Sequence, residues 1–119
     1  MKLILIEDNA DLAWTMRSLL ELRGYEVRCY LSAHEFLQQA ASVTDDDVLI
    51  TDYYLPDLNG IELLKRVRAK RPRVKAILLT GSREDGIVRA AEEIPDCRVE
   101  FKPLDYEALD RRIREVRSA

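Results

Sequence analysis

The chain has 119 residues, 47% of them hydrophobic, and a formal net charge of −3. That is the length of one domain with enough apolar material for a core. The slight acidity excludes a global basic field of the kind that draws proteins to nucleic acid, and no apolar stretch reaches membrane-spanning length.

The first elements follow from a switch in apolar period. Leu3 to Ile6 is a continuous apolar run, as expected of a strand covered on both faces. Glu7 and Asp8 end it, and Asn9 is the expected N-cap of a helix whose stripe is Leu12, Met16, Leu19 and Leu20, with Trp14 at its edge. Gly24, just past Arg23, stops that helix. Tyr25 to Tyr30 is the second strand. Ser32 caps a second helix carrying Phe36, Leu37 and Ala40. His34, the sole histidine, falls on this helix and reads as a surface residue.

Asp45 to Asp47 reads as a surface turn and Val48 to Thr51 as the third strand, ending at Asp52. A loop holding Pro56 leads to Asn59 or Gly60, which opens a third helix with Ile61, Leu64, Val67 and Arg68 at helical spacing. Pro72 forbids its extension. Val74 to Leu79 is the fourth strand, ending at Thr80. A polar loop of Thr80, Gly81 and Ser82 precedes a helix from about Glu84 to Glu93, which Pro95 ends. Val99 to Phe101 belongs to the fifth strand, and Lys102 and Pro103 form a turn. Asp105 caps the last helix, with Leu109, Ile113 and Val116 inward.

The pattern is (βα) repeated five times in one unit, residues 1–119. Strands joined by helices imply a parallel sheet with right-handed crossovers. Basic residues gather between Lys65 and Lys75 and between Arg111 and Arg117, which reads as solvated helix face. Cys29 and Cys97 are the only cysteines. Each falls in a strand-like run and reads as a buried apolar thiol, with no metal-binding spacing. Charged Lys2 and Glu7 bracket too short an apolar run for a signal peptide. A soluble cytoplasmic protein with no membrane contact is the expectation.

Four of the five strands end in a residue suited to magnesium-assisted phosphoryl transfer, at the sheet edge where open α/β folds bind ligands. If the first and third strands are neighbours, Glu7, Asp8 and Asp52 share one pocket. Three like charges at close range repel, and a divalent cation resolves the conflict. Oxygen-only ligands in small number favour Mg²⁺. A carboxylate at such a site can act as a nucleophile. Lys102 supplies a point charge and Thr80 a hydroxyl donor for the phosphoryl oxygens. Asp52, on the central strand, is the expected nucleophile. Singly, each of these residues is an ordinary turn, cap or surface group; their joint placement on successive strand ends is what the ordinary readings do not predict.

In these residues the chain resembles the receiver domains of two-component response regulators. The resemblance spans essentially the whole sequence and rests on Glu7-Asp8, Asp52-Tyr-Tyr-Leu-Pro56-Asp-Leu-Asn-Gly60, Thr80-Gly81 and Lys102-Pro103. It implies a CheY-like, flavodoxin-like three-layer sandwich with strand order 2-1-3-4-5. It implies that Asp52 accepts a phosphoryl group from a sensor histidine kinase or phosphotransfer protein. Glu7, Asp8 and Asp52 would hold Mg²⁺, with the Tyr53 backbone carbonyl as a further protein ligand. Lys102 would pair with the phosphoryl group and Thr80 would move toward it. The resemblance also implies a cis Lys102–Pro103 peptide and a loop shaped by Pro56 and Gly60. It implies as well that Tyr54 and Ser82 occupy positions that would tune access of water to the aspartyl phosphate. The output surface would lie on the fourth helix, fifth strand and fifth helix, where homodimerisation can occur. This domain itself would not bind nucleic acid and would catalyse only its own phosphorylation and dephosphorylation.

Two features depart from the family pattern. Val99 stands where an aromatic switch residue is usual, which excludes a rotating ring there. Ile94-Pro95-Asp96-Cys97 replaces the usual small turn before the fifth strand. Three other readings compete with this one. A flavin or nucleotide site needs a Gly- or Ser/Thr-rich phosphate loop where this chain carries Glu7 and Asp8. A haloacid-dehalogenase-like phosphatase needs Asp-x-Asp after the first strand, and here Asn9 and Ala10 follow Asp8. A degenerate receiver, used as a docking module without phosphorylation, would not need all five functional positions.

Overall fold

The computed structural model describes residues 1–81 and 85–118. Five parallel strands, β1 (Leu3–Ile6), β2 (Val27–Tyr30), β3 (Val48–Asp52), β4 (Lys75–Thr80) and β5 (Cys97–Phe101), form one sheet in the order β2-β1-β3-β4-β5. The helices α1 (Ala10–Leu22), α2 (Ala33–Leu37), α3 (Gly60–Lys70), α4 (Asp85–Glu92) and α5 (Tyr106–Ser118) follow the successive strands. This is the expected flavodoxin-like sandwich.

The strands read as unbroken apolar runs because both faces are covered. Successive side chains point to opposite faces. Ile4, Ile6, Leu49 and Leu78 therefore pack with Phe36, Leu63, Leu64 and Val67 on one side. Leu3, Leu5, Ile50, Ile77 and Leu79 pack with Met16, Leu20, Leu109, Ile113 and Val116 on the other. Each fully buried aliphatic side chain contributes roughly 1.5–3 kcal/mol relative to exposure.

The expected caps are present. Asn9, Ser32 and Asn59 accept the backbone N–H groups of Leu12, Glu35 and Glu62 at 3.1, 3.1 and 2.9 Å. Asp105 accepts from Glu107 and Ala108. Gly24 takes φ +92°, and the Gly24 and Tyr25 N–H groups bond back to Glu21 and Leu20. This double closure is a Schellman ending. It consumes Tyr25, so β2 begins at Val27, later than the Tyr25 expected from sequence.

Other boundaries also differ. β3 and β4 each run one residue further, through Asp52 and Thr80, because register pairing continues to Asp52–Leu79 and Thr80–Phe101. α2 stops at Leu37, and Ala40 belongs to a following 3₁₀ turn, Ala40–Ser42. Trp14 is 71% exposed, because the adjoining Ala13 takes the buried side of α1. Leu63 is a core residue that the Ile61–Leu64–Val67 spacing passes over. Asp47 is not surface: it is 2% exposed. Its carboxylate accepts from the Lys2 backbone at 3.0 Å, Lys2 Nζ at 2.7 Å and the Thr44 N–H at 2.8 Å. Three donors repay the cost of burying the charge. His34 is exposed as expected, Cys97 is buried, and Cys29 is half-buried. Ser82 and Glu84 lie outside the described residues.

Candidate functional site

Register assembles the site. Ile6 pairs with Thr51, so Glu7 and Asp52, each one residue on, are neighbours across β1 and β3. Asp52 pairs with Leu79 and Thr80 with Phe101, so Thr80 and Lys102 complete the row. These residues line a cleft of about 340 Å³ together with Asp8 and Tyr54.

The loop after Asp52 is tied down at both ends. The Tyr53 N–H donates to the Leu79 carbonyl at 2.8 Å, and the Gly60 N–H donates to the Tyr53 carbonyl at 2.8 Å. A Cβ on Gly60 would lie 2.7 Å from the Asp52 carbonyl oxygen, so only glycine permits α3 to start this close to the strand end. The Lys102–Pro103 peptide is cis, as expected.

Lys102 Nζ lies 2.8 Å from Glu7 Oε1 and 2.7 Å from Asp52 Oδ1. Glu7 Oε2 also accepts the Asn9 N–H at 3.1 Å. Asp52 is 5% exposed. Its Oδ1 is close enough to Lys102 for an ion pair but lacks hydrogen-bond alignment, and it is a buried oxygen without a hydrogen-bond partner. One ligand atom from each of Glu7, Asp8 and Asp52 lies within 4.8 Å of the others. Among the described residues one ammonium therefore faces three carboxylates, which leaves them short of positive charge.

The acidities record that shortage. Burial, then the Glu7 carboxylate, pushes Asp52 up to about 7 against the opposing pull of Lys102. Burial also raises Glu7, but hydrogen bonds with Asp52, Lys102 and the Asn9 N–H outweigh it and hold this carboxyl below its usual range. The two carboxyls titrate as a pair. Burial and the adjoining Glu7 push Asp8 up. Burial disfavours the Lys102 ammonium, yet Asp52 and Glu7 more than offset it, and its pKa rises.

The set of oxygen donors, crowded and short of cationic partners, fits a hard divalent cation. All five side chains singled out from the sequence, Glu7, Asp8, Asp52, Thr80 and Lys102, meet in this cleft. Tyr53 is not among the residues lining it: its carbonyl accepts the Gly60 N–H and its ring packs on the core, while Tyr54 lines the cleft. Tyr53 and Tyr54 meet edge to face with ring centroids 4.8 Å apart. Two contributions leave no signal in the sequence. One is the Asn9 N–H on Glu7. The other is Asp57, whose carboxylate accepts the His34 N–H at 2.8 Å and so ties the loop after Asp52 to α2. Val99 is half-buried on β5 against the core.

The sequence model of the response regulator receiver domain matches residues 3–114. The transcriptional regulatory protein CpxR homolog of Haemophilus influenzae is 36% identical over 120 residues, covering 97% of this chain and 49% of that protein. The C4-dicarboxylate transport transcriptional regulatory protein DctD of Rhizobium meliloti is 33% identical over 115 residues, covering 97% of this chain and 24% of that protein. A solved response regulator receiver domain protein from Clostridium thermocellum superimposes with a TM-score of 0.88 at 26% identity, over 98% of this chain and 94% of that one. The chain thus spans from about a quarter to about half the length of these two regulators. The match takes in every residue that builds the acidic cleft, and on it this chain belongs to the receiver domains of two-component response regulators.

Proposed function

We propose that Asp52 is a phosphoacceptor, taking its phosphoryl group from the phosphohistidine of a sensor histidine kinase or phosphotransfer protein. The observation that carries this reading is the buried, unsatisfied Asp52 oxygen at the end of the central strand, with Lys102 beside it and Glu7 and Asp8 within metal-binding reach. In the step, a carboxylate oxygen of Asp52 forms the bond to phosphorus. The phosphorus–nitrogen bond to the donor imidazole breaks, and the leaving imidazole takes a proton. Lys102 offsets charge on the transferred oxygens, and the Thr80 hydroxyl donates to one of them. Glu7, anchored by the Asn9 N–H and Lys102, keeps that ammonium in position.

Mg²⁺ would be held by Asp8 and Asp52 with Glu7 in support, and when bound it neutralises charge on the phosphoryl oxygens. Tyr54 lines the cleft and Tyr53 does not, so a main-chain ligand from this loop would come from Tyr54 in place of the expected Tyr53. Receiver domains are typically non-enzymatic signalling modules, and here the chemistry is the domain's own phosphorylation and its reversal. Thr80 ends β4 next to the segment leading into α4. Its capture by the phosphoryl group would bias the α4–β5–α5 face, where Arg112 Nε bridges to Glu100 at 2.7 Å. That face is the proposed output and dimerisation surface of a module, residues 1–119, acting in the cytoplasm. No described helix is long and apolar enough to cross a membrane.

The test is labelling by a small phosphodonor and binding of beryllofluoride, each with and without Mg²⁺. Both are expected to require Mg²⁺ and to vanish in Asp52→Asn. Persistent labelling of that variant would remove Asp52 from its role. A wild-type protein that neither labels nor binds would leave the domain a phosphorylation-independent docking module.

A further inference from the structure

The structure divides the basic run Lys65–Lys75 by use. Arg68 Nε donates to the Val74 carbonyl at 2.9 Å and Arg71 Nε to the Val43 carbonyl at 2.7 Å. Lys65 lies 3.6 Å from Glu62, and Lys75 Nζ donates to the Arg117 carbonyl at 3.1 Å. Arg66 and Lys70 are different. They stand one turn apart on α3, exposed, with no carboxylate at ion-pair distance among the described residues. In a chain of net charge −3, two adjacent unpaired cations are a local reversal of sign.

They stand over an apolar groove. α2 has only five residues, and Leu37 at its end, Ala40 in the next turn and Val67 of α3 form the floor of a groove of about 270 Å³, with Arg66, Lys70 and Arg71 on the rim. A second hollow of about 280 Å³ shares Leu37 and Arg66 and continues toward Ala33 and Leu58. Its one acid, Asp57, is committed to the N–H groups of Ala33 and His34 at 3.4 and 2.8 Å. The groove of about 270 Å³ itself is lined by cations and by no acid. Neither hollow includes a residue of the acidic cleft.

We propose that the α2–α3 groove docks an acidic amphipathic helix of a partner protein. Its apolar side chains would fill the floor, and its carboxylates would face Arg66 and Lys70, the helix-in-groove arrangement with charge complementarity at the rim. Nucleic acid fits less well: an apolar floor offers nothing to a phosphate backbone, and two cations release few counterions. The inference goes beyond the phosphoacceptor reading and does not depend on it.

The experiment uses the whole isotope-labelled chain and a designed helical peptide of about 18 residues, long enough to hold a helix, with leucines on one face and glutamates beside them. A sister peptide carries lysine for every glutamate. Duplex DNA and phosphatidylglycerol vesicles are the other probes. The acidic peptide is expected to shift amide signals of residues 33–42 and 58–71. Arg66→Glu/Lys70→Glu should weaken it about tenfold or more at low salt with an unchanged thermal midpoint. Ala40→Glu, which puts a carboxylate into the groove, should also block it. The lysine peptide should not bind. The proposal is overturned if the acidic peptide fails to bind at millimolar concentration, perturbs another face, or ignores both variants. It is equally overturned if the lysine peptide binds as well, or if the double variant loses DNA, vesicles or self-association instead.

Discussion

Gly60→Ala separates tertiary contact from helix propensity. Gly60 is the first residue of α3 after its cap, Asn59. In an ordinary helix, alanine is better than glycine by about 0.5–1 kcal/mol. Here the new Cβ would meet the Asp52 carbonyl oxygen at 2.7 Å, Leu78 Cδ2 at 3.0 Å and Thr51 Cγ2 at 3.2 Å. Leu78 can rotate away, but the Asp52 carbonyl is main chain at the end of the central strand. An unstrained contact lies near ~3.5 Å, so α3 or the end of β3 must yield by roughly 0.8 Å. Overpacking of this kind costs about 1–3 kcal/mol, and against a propensity gain of about 0.5–1 kcal/mol it leaves a net loss of up to about 2.5 kcal/mol. Gly86 is the control, since it lies in α4 with nothing within 4 Å of an added Cβ. Gly86→Ala should therefore gain up to about 1 kcal/mol. Urea unfolding without metal reads both: the midpoint falls for Gly60→Ala and rises for Gly86→Ala, with unchanged slopes. Beryllofluoride binding should weaken only in Gly60→Ala, because the displaced carbonyl belongs to Asp52. Equal stability of the two variants would refute the steric reasoning.

Three further outcomes follow from the same geometry. Lys102→Met keeps the stem but removes the ammonium between Glu7 and Asp52; metal-free stability at pH 8 should fall by about 1–3 kcal/mol and recover in part with Mg²⁺, so a loss indifferent to Mg²⁺ would contradict a metal-binding acidic cluster. Asp47→Ala strips three donors of their acceptor and should cost about 2–4 kcal/mol. Burial raises the Asp47 carboxyl, but Lys2 and the Thr44 N–H outweigh it and hold it below its usual range. Its stabilisation is therefore full above about pH 4 and is lost as pH falls further; the variant should show a flatter acid limb in a plot of stability against pH. Tyr54, 55% exposed at the mouth of the cleft, should shield the phosphoryl group from water; Tyr54→Ala should shorten the phosphoryl half-life severalfold, and an unchanged or longer half-life would remove that role.

Much of this molecule is readable along the chain because the relevant physics is local. A parallel strand covered on both faces needs an unbroken apolar run, so LILI, VLIT and AILL announce themselves, and the polar residue after each run marks the sheet edge. Caps are local as well: Asn9, Ser32, Gly24, Asn59 and Asp105 act within a few residues of themselves. From these alone come five strands, five helices and the suspicion that Glu7, Asp8, Asp52, Thr80 and Lys102 belong together.

What no local pattern carries is pairing between distant residues. Only the strand order makes β1 and β3 neighbours, and only then do Glu7 and Asp52 share Lys102, which arrives 95 residues after Glu7. Asp47 reads as one more acid in a polar turn until Lys2, 45 residues away, satisfies it in the interior. The engagement of the Tyr53 carbonyl and the groove under Arg66 and Lys70 are likewise consequences of how α2 and α3 pack on the sheet. Apolar period and capping are settled over a few residues, whereas the charge balance of a buried carboxylate depends on whatever the fold brings within a few ångströms of it.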